Sequence, residues 1–290
     1  MKRIFALLGL AAILLCGCRQ PAEPADIAAT TLPVYEFTTF LCRDTGLTVT
    51  RLVTENVSCL HDYSLNVGQV RAAEGAQLIV LSGAGLEEFM EDVLDHKKIL
   101  DASRDIPLLE NCHDHDHDHG DQHLHEFDPH IWLSPNNARL MAINIWIGLT
   151  EEYPEHRITF AQNLQELLAQ IDALQAYGET QLVGLSAKEL VTFHDGFGYL
   201  AEAYGLTIVK AIEEESGAEA SAAELKQIIG IVREHDMTAI FTETNGSCSA
   251  AQIIAAETGT AIYTLDMAMS GDSWFTAMYH NIDTLKEALK

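Results

Sequence analysis

The chain has 290 residues, 48% of them apolar and 21% charged, enough for two ordinary domains with full cores and no reliance on disulfides or metals merely to fold. Its 43 Asp and Glu outnumber 17 Lys and Arg, a formal net charge of −26, which excludes nucleic acid as a partner and makes a cation a natural one. Aromatic residues are only 7%, too few for the stacked cleft that an organic ligand such as a siderophore or cobalamin would want.

Taken in chain order, Lys2 and Arg3 precede an apolar run over 4–15, which is short for a membrane span and right for a secretory signal. It ends in Leu15-Cys16-Gly17-Cys18, an aliphatic residue, two small ones and a cysteine; this pattern resembles the lipobox of bacterial lipoproteins. The expectation is a signal peptide over 1–17, lipid on Cys18 as the mature N-terminus, and a short tether over 18–25. Loss of Lys2 and Arg3 with the leader takes the formal charge from −26 to −28.

The next segment alternates strand and helix patterns: strands over 27–31, 48–53 and 77–81, with helices over 34–45 and 65–75 between them. That rhythm requires crossover connections and a mostly parallel sheet. The C-terminal part repeats it, with strands over 189–193, 207–212, 239–242 and 261–265. Between the halves a helix is expected from Pro154 to Leu182, with Ile158, Leu164, Leu168 and Ile171 on one apolar face. The fold class is therefore α/β: two similar lobes, each with a mostly parallel sheet flanked by helices, over 26–153 and 183–290, joined by one long rigid helix over 154–182. A continuous helix resists hinging, because bending it breaks backbone hydrogen bonds.

Residues 112–126 hold the low-complexity run "CHDHDHDHGDQHLHE". It has no apolar period to pin it to a core, so a mobile His-rich loop is expected, with order resuming near Phe127. His113, His115, His117, His119, His123 and His125 chelate in pairs when the chain is extended, while Asp114, Asp116 and Asp118 draw cations in. Four cysteines remain after processing, Cys42, Cys59, Cys112 and Cys248. Their spacing is not that of a structural zinc site, and disulfides or isolated thiols both remain open.

Outside the His-rich run, His and carboxylates at strand ends are the positions that matter, since open α/β sheets bind ligands beyond the carboxyl ends of their strands. His61 follows the second strand, His130 precedes a helix that begins near Pro135, His194 closes "ELVTF" and Asp266 closes "AIYTL". Two come from each half, so they can converge between the lobes. Three imidazoles and one carboxylate suit tetrahedral Zn²⁺, and four protein ligands leave no place for an activated water, which points to binding and not to an enzyme. Glu243, ending "AIFT", is a candidate to hydrogen-bond a ligating imidazole. Gly83-Ala84-Gly85 starts like a nucleotide-binding fingerprint but has Glu88 at the third glycine position, and is read as a strand-to-helix turn. His96, His156, His235 and His280 are expected to be surface or packing histidines.

Six segments in order carry a wider likeness: "TTLPVYEFTTFL", "GAGLEEFMEDVL", "FDPHIWLSPNNARLMA", "VTFHDGFGYLAEAYGL", "IFTETN" with "AAQIIAAETGTAIYTLD", and "YHNIDTLKEAL". Over almost the whole mature chain this resembles the cluster A-I substrate-binding lipoproteins of bacterial ABC transporters, the zinc- and manganese-type receptors. The resemblance implies two α/β lobes bridged by a rigid helix, ligands matching His61, His130, His194 and Asp266, and a histidine at position 194 that leans toward zinc where manganese-type members often have Glu. It also implies a monomer held at the membrane by lipid on Cys18, outside the cytoplasm, working with an ABC permease and its ATPase. Manganese capture, zinc storage and an adhesin role are the alternatives. Two segments depart from the family pattern: Ser58-Cys59-Leu60 stands before His61 in place of a Gly/Pro-containing segment, which puts Cys59 near the metal, and Met267-Ala268 follows Asp266 in place of Pro and Leu.

Overall fold

The computed structural model describes residues 24–57, 60, 63–110, 127–213 and 220–290. The signal segment, Cys18, Cys59, His61 and the whole 112–126 run lie outside the described residues.

The first lobe holds strands β1 (Ile27–Ala29), β2 (Val49–Arg51), β3 (Leu78–Leu81) and β4 (Lys98–Asp101), paired in parallel in the order β2-β1-β3-β4. Helices α1 (Leu32–Leu41), α2 (Val67–Gly75) and the single turn α3 (Glu91–Leu94) connect them. Helix α4 (Pro135–Glu152) leads through a 3-10 turn at Pro154–His156 into α5 (Arg157–Gln181). The second lobe has β5 (Glu189–His194), β6 (Thr207–Glu213), β7 (Ala239–Glu243) and β8 (Ala261–Leu265) in the order β6-β5-β7-β8, again parallel, with α6 (Gly198–Ala203), α7 (Ala222–Glu234), α8 (Ser249–Thr258) and α9 (Trp274–Ala288). The lobes thus share one topology. In each, the second strand lies on one side of the first and the third on the other, so each has a switch point between its first and third strands, where such sheets bind ligands.

Strand alternation sorts the apolar side chains onto two faces. Ala28, Ile79 and Leu81 face an outer layer with Ala73 and Met90, and Val191, Phe193 and Ile240 face another with Ile228, Val232 and Ile254. Ile27, Val80, Leu190 and Phe241 turn inward to one core that continues across both lobes with α1, α4, α5 and α9. α5 is long, 25 residues or roughly 38 Å at helical rise, and it packs against α1, α4 and α9. Its buried stripe is Phe160, Asn163, Leu167, Ile171, Leu174 and Gly178. Ile158, expected on that stripe, is 66% exposed: at about 100° per residue it points roughly 140° away from Ile171, and Phe160 takes the core position in its place. Leu164 and Leu168 pack against the core as partly buried neighbours. Gly178 is required by close approach, because a Cβ there would lie 2.3 Å from the Tyr204 ring.

β4 carries no signal in the sequence reading. It is an edge strand with only Leu100 buried, in "KILD", so neither alternation nor an apolar run marks it. α1 starts at Leu32, earlier than the 34–45 pattern, because Pro33 occupies a first-turn position where its missing N–H costs nothing, and it ends at Leu41 with Cys42 as its C-cap. Ser221 caps α7 through a complete capping box with Glu224. Cys42 and Cys248 are free thiols; Cys42 is buried and Cys248 exposed, and burial pushes the Cys42 thiol up to about 12.

The Gly83-Ala84-Gly85 turn has positive φ at all three residues, and Glu87 explains why it offers nothing to a phosphate. The Glu87 carboxylate accepts from Ser82 N (2.7 Å), Gly83 N (3.0 Å) and Thr30 Oγ1 (2.6 Å), so the backbone donors are already taken. Burial raises this carboxyl from 4.5 to about 7. A folded-state value above the unfolded one makes the contribution to stability complete below pH 4.5 and lost as pH rises through 7. Urea unfolding of metal-free protein is therefore expected to lose roughly 3 kcal/mol across that window from this group. In Glu87→Gln that slope disappears, and a slope unchanged by the substitution would show that other groups cause it.

Candidate metal centre

His130 is placed by a short rigid run. Pro129 limits the backbone before it, and the 3-10 turn Ile131–Leu133 follows, capped by Ser134 at the start of α4, whose Oγ accepts from Asn137 N (3.4 Å). Asp128 closes the turn: its Oδ1 accepts from both the backbone N–H and Nδ1 of His130, each at 2.8 Å. His130 is 1% exposed, and its Nε2 is buried with no hydrogen-bond partner among the described residues.

His194 is the last residue of β5 and is 3% exposed. Its ring stands perpendicular to that of His130, with centroids 5.3 Å apart, so the structure brings together one imidazole from each lobe. A Cβ on Gly196 would lie 2.8 Å from His194 Cδ2, 2.8 Å from the Met267 methyl and 3.0 Å from His130 Cε1. The glycine is what lets the chain pass against both rings. Glu243, 5% exposed, ends β7, and the pairing of Thr192 with Phe241 puts it at the strand end beside His194, at the switch point of the second sheet.

Asp266 follows β8 and is half-buried. Its backbone is clamped by the fully buried Asn281 of α9, whose amide donates to Asp266 O and whose carbonyl accepts from Asp266 N, both at 2.7 Å. Its Oδ1 accepts from Ala268 N at 2.8 Å and its Oδ2 from Thr244 Oγ1 at 3.3 Å. The Met267-Ala268 departure gives a tight loop with Ala268 at φ +54°, pinned because Trp132 Nε1 donates to Met267 O at 2.7 Å. Asp266 and Glu243 line one shallow, open depression together with Val57 of the first lobe.

Of the four strand-end positions, His130, His194 and Asp266 lie around this interlobe region, and His61 falls outside the described residues. On either side of His61, Leu60 is buried and Tyr63 donates its hydroxyl to Glu55 at 2.7 Å. Among the described residues, no three His, Cys, Asp or Glu side chains are grouped closely enough to hold a metal ion by themselves. The remaining histidines stay apart: His96 and His280 are exposed, His156 packs edge-on to Phe160, and His235 pairs with Glu189 at 2.8 Å. Sequence reasoning missed Asp128, Gly196 and Asn281. Asp128 had a signal in its two-residue spacing from His130, whereas Asn281 acts from fifteen residues away and had none.

The family model described as the zinc-uptake complex component A, periplasmic (ZnuA), matches residues 27–288. The chain belongs to this family. A curated relative, the zinc-binding lipoprotein AdcA of Streptococcus pneumoniae serotype 4, is 33% identical over 313 residues, covering 99% of this chain and 61% of the relative. The chain therefore spans about 61% of the length of that relative. The high-affinity zinc uptake system protein ZnuA of Bacillus subtilis is 29% identical over 297 residues, 94% of this chain and 92% of the relative. A crystal structure of ZnuA superposes with a TM-score of 0.80 at 29% identity, over 92% of this chain and all of that one. The ZnuA likeness thus takes in both lobes and the helix between them.

Proposed function

We propose that this ZnuA-family chain is an extracytoplasmic receptor that captures Zn²⁺ between its lobes and delivers it to an ABC permease and its ATPase. The observation that carries the reading is the pair of buried, perpendicular imidazoles from different lobes, with His130 Nε2 lacking a partner among the described residues. A buried nitrogen without a hydrogen bond costs roughly 1–3 kcal/mol, and a cation bound there removes the cost. His61, His130, His194 and Asp266 are the ligands, with Glu243 beside His194 as the acid that steadies its ring. Four protein ligands fill a tetrahedral Zn²⁺ and leave no position for an activated water, so the chain binds and releases its cargo and catalyses nothing. The nitrogen-rich donor set favours zinc over the harder manganese ion.

Lipid on Cys18 holds the monomer at the outer face of the membrane; no described helix is long and apolar enough to cross one. His113, His115, His117, His119, His123 and His125 form an auxiliary collector that gathers zinc more weakly than the interlobe site. The continuous α5 and the core shared by the lobes favour release by local rearrangement of the loops at the strand ends and not by wide closure.

The test is metal analysis of protein purified without chelators, with and without residues 112–126. The expected result is one tightly held zinc in both forms and further, weakly held zinc only in the full chain. Manganese or iron in preference to zinc would overturn the substrate.

A further inference from the structure

We infer that Asp128 is the positioning residue of the interlobe site: it fixes His130 with Nε2 as the donor atom and links that orientation to the segment that carries His194. The inference rests on the zinc-receptor reading above. Asp128 is 5% exposed, and one of its oxygens accepts both the N–H and the Nδ1 proton of His130 at 2.8 Å. A carboxylate only accepts, so the imidazole proton is held on Nδ1 and the lone pair is left on Nε2.

The second half of the inference concerns what holds Asp128. Tyr199, 1% exposed in α6 of the other lobe, donates its hydroxyl to Asp128 O at 2.9 Å. The same hydroxyl accepts from Leu109 N at 2.9 Å. Leu109 O in turn accepts from Asp128 N at 2.8 Å, and the next residues out, Glu110 and Phe127, form an antiparallel bridge. Gly198 packs against the other Asp128 oxygen: a Cβ there would lie 3.1 Å from Oδ2. His194, Gly196, Gly198 and Tyr199 are one short stretch of chain, so the segment that supplies one imidazole also grips the residue that aims the other.

The full chain is prepared metal-free as wild type and as Asp128→Ala, Asp128→Asn, Tyr199→Phe and His130→Ala. Zinc affinity is read by competition with a chromophoric chelator. The His130 tautomer is read at pH 8 from long-range proton–nitrogen correlations, its signals assigned by their absence in His130→Ala. In wild type the proton sits on Nδ1. In Asp128→Ala it moves to Nε2, the site a free imidazole prefers, and zinc affinity falls ~10–100-fold. Asp128→Asn keeps a side-chain oxygen that accepts from Nδ1–H, so it keeps the tautomer and most of the affinity. Tyr199→Phe keeps the tautomer but loses affinity several-fold, because Asp128 is released from the second lobe.

An Asp128→Ala protein that keeps the proton on Nδ1, or that binds zinc within twofold of wild type, overturns the positioning role, as does an asparagine variant that falls as far as alanine. If the alanine variant does not fold, the asparagine and Tyr199→Phe proteins still decide it, since wild-type affinity in Tyr199→Phe breaks the link between lobes. Unchanged affinity in His130→Ala defeats the receptor-site reading itself. Loss in His130→Ala with none in Asp128→Ala defeats only the present inference.

Discussion

A His194→Ala protein is expected to bind zinc roughly a hundred- to a thousandfold more weakly than wild type. Four-ligand zinc sites release on the order of 10–16 kcal/mol; shared over the four proposed donors His61, His130, His194 and Asp266, that is about 2.5–4 kcal/mol for each, and 1.4 kcal/mol is a factor of ten. No described neighbour replaces the lost imidazole readily. Glu243 sits at the adjacent strand end but is held on a buried strand, and Gly196 has no side chain to offer. Because the His-rich segment is proposed to bind zinc as well, calorimetry is best run on protein lacking residues 112–126, where a single class of site is expected. His194→Ala with wild-type affinity and stoichiometry in that background would show that the tight site lies elsewhere.

The α/β alternation was legible because buried parallel strands read as short apolar runs, and "LIVL" and "LVTF" became β3 and the middle of β5. That His130 and His194 would meet was legible for a different reason: imidazoles at strand or helix boundaries stand out against an apolar background, one in each half, and the structure sets the two rings 5.3 Å apart. β4 was invisible because an edge strand with one buried residue satisfies no period. The α5 stripe was read one face off at its start because Ile158 is apolar but points to solvent, and apolar residues at a surface are ordinary. Asn281 and Tyr199 could not be read at all. Each acts through a bond between segments remote in sequence, Asn281 on Asp266 and Tyr199 on Asp128, and nothing local in an amide or a phenol announces its distant partner.

The largest effect on stability is expected at Trp132. Its side chain is fully buried two residues after His130, and its ring packs edge-on against the His130 imidazole at 5.4 Å. Its indole N–H donates to Met267 O at 2.7 Å, beside Asp266, and its own carbonyl accepts from the Trp274 indole N–H at 3.1 Å. One residue therefore ties the His130 turn to the Asp266 loop and to the start of α9. Trp132→Ala removes the ring, leaves a cavity and orphans Met267 O, a loss of about 4–5 kcal/mol in urea unfolding of the metal-free protein. Trp132→Phe keeps most of the packing and loses the donor, at about 1–2 kcal/mol. Zinc adds stability according to its affinity for the folded chain alone, so the zinc-induced gain measures the site independently of the core. That gain is expected to shrink in Trp132→Phe as well, because the Asp266 loop is freed from the His130 turn while the ring remains. If zinc stabilises wild type, Trp132→Phe and Trp132→Ala by equal amounts at the same free concentration, the indole serves the core and has no part in setting His130 against Asp266.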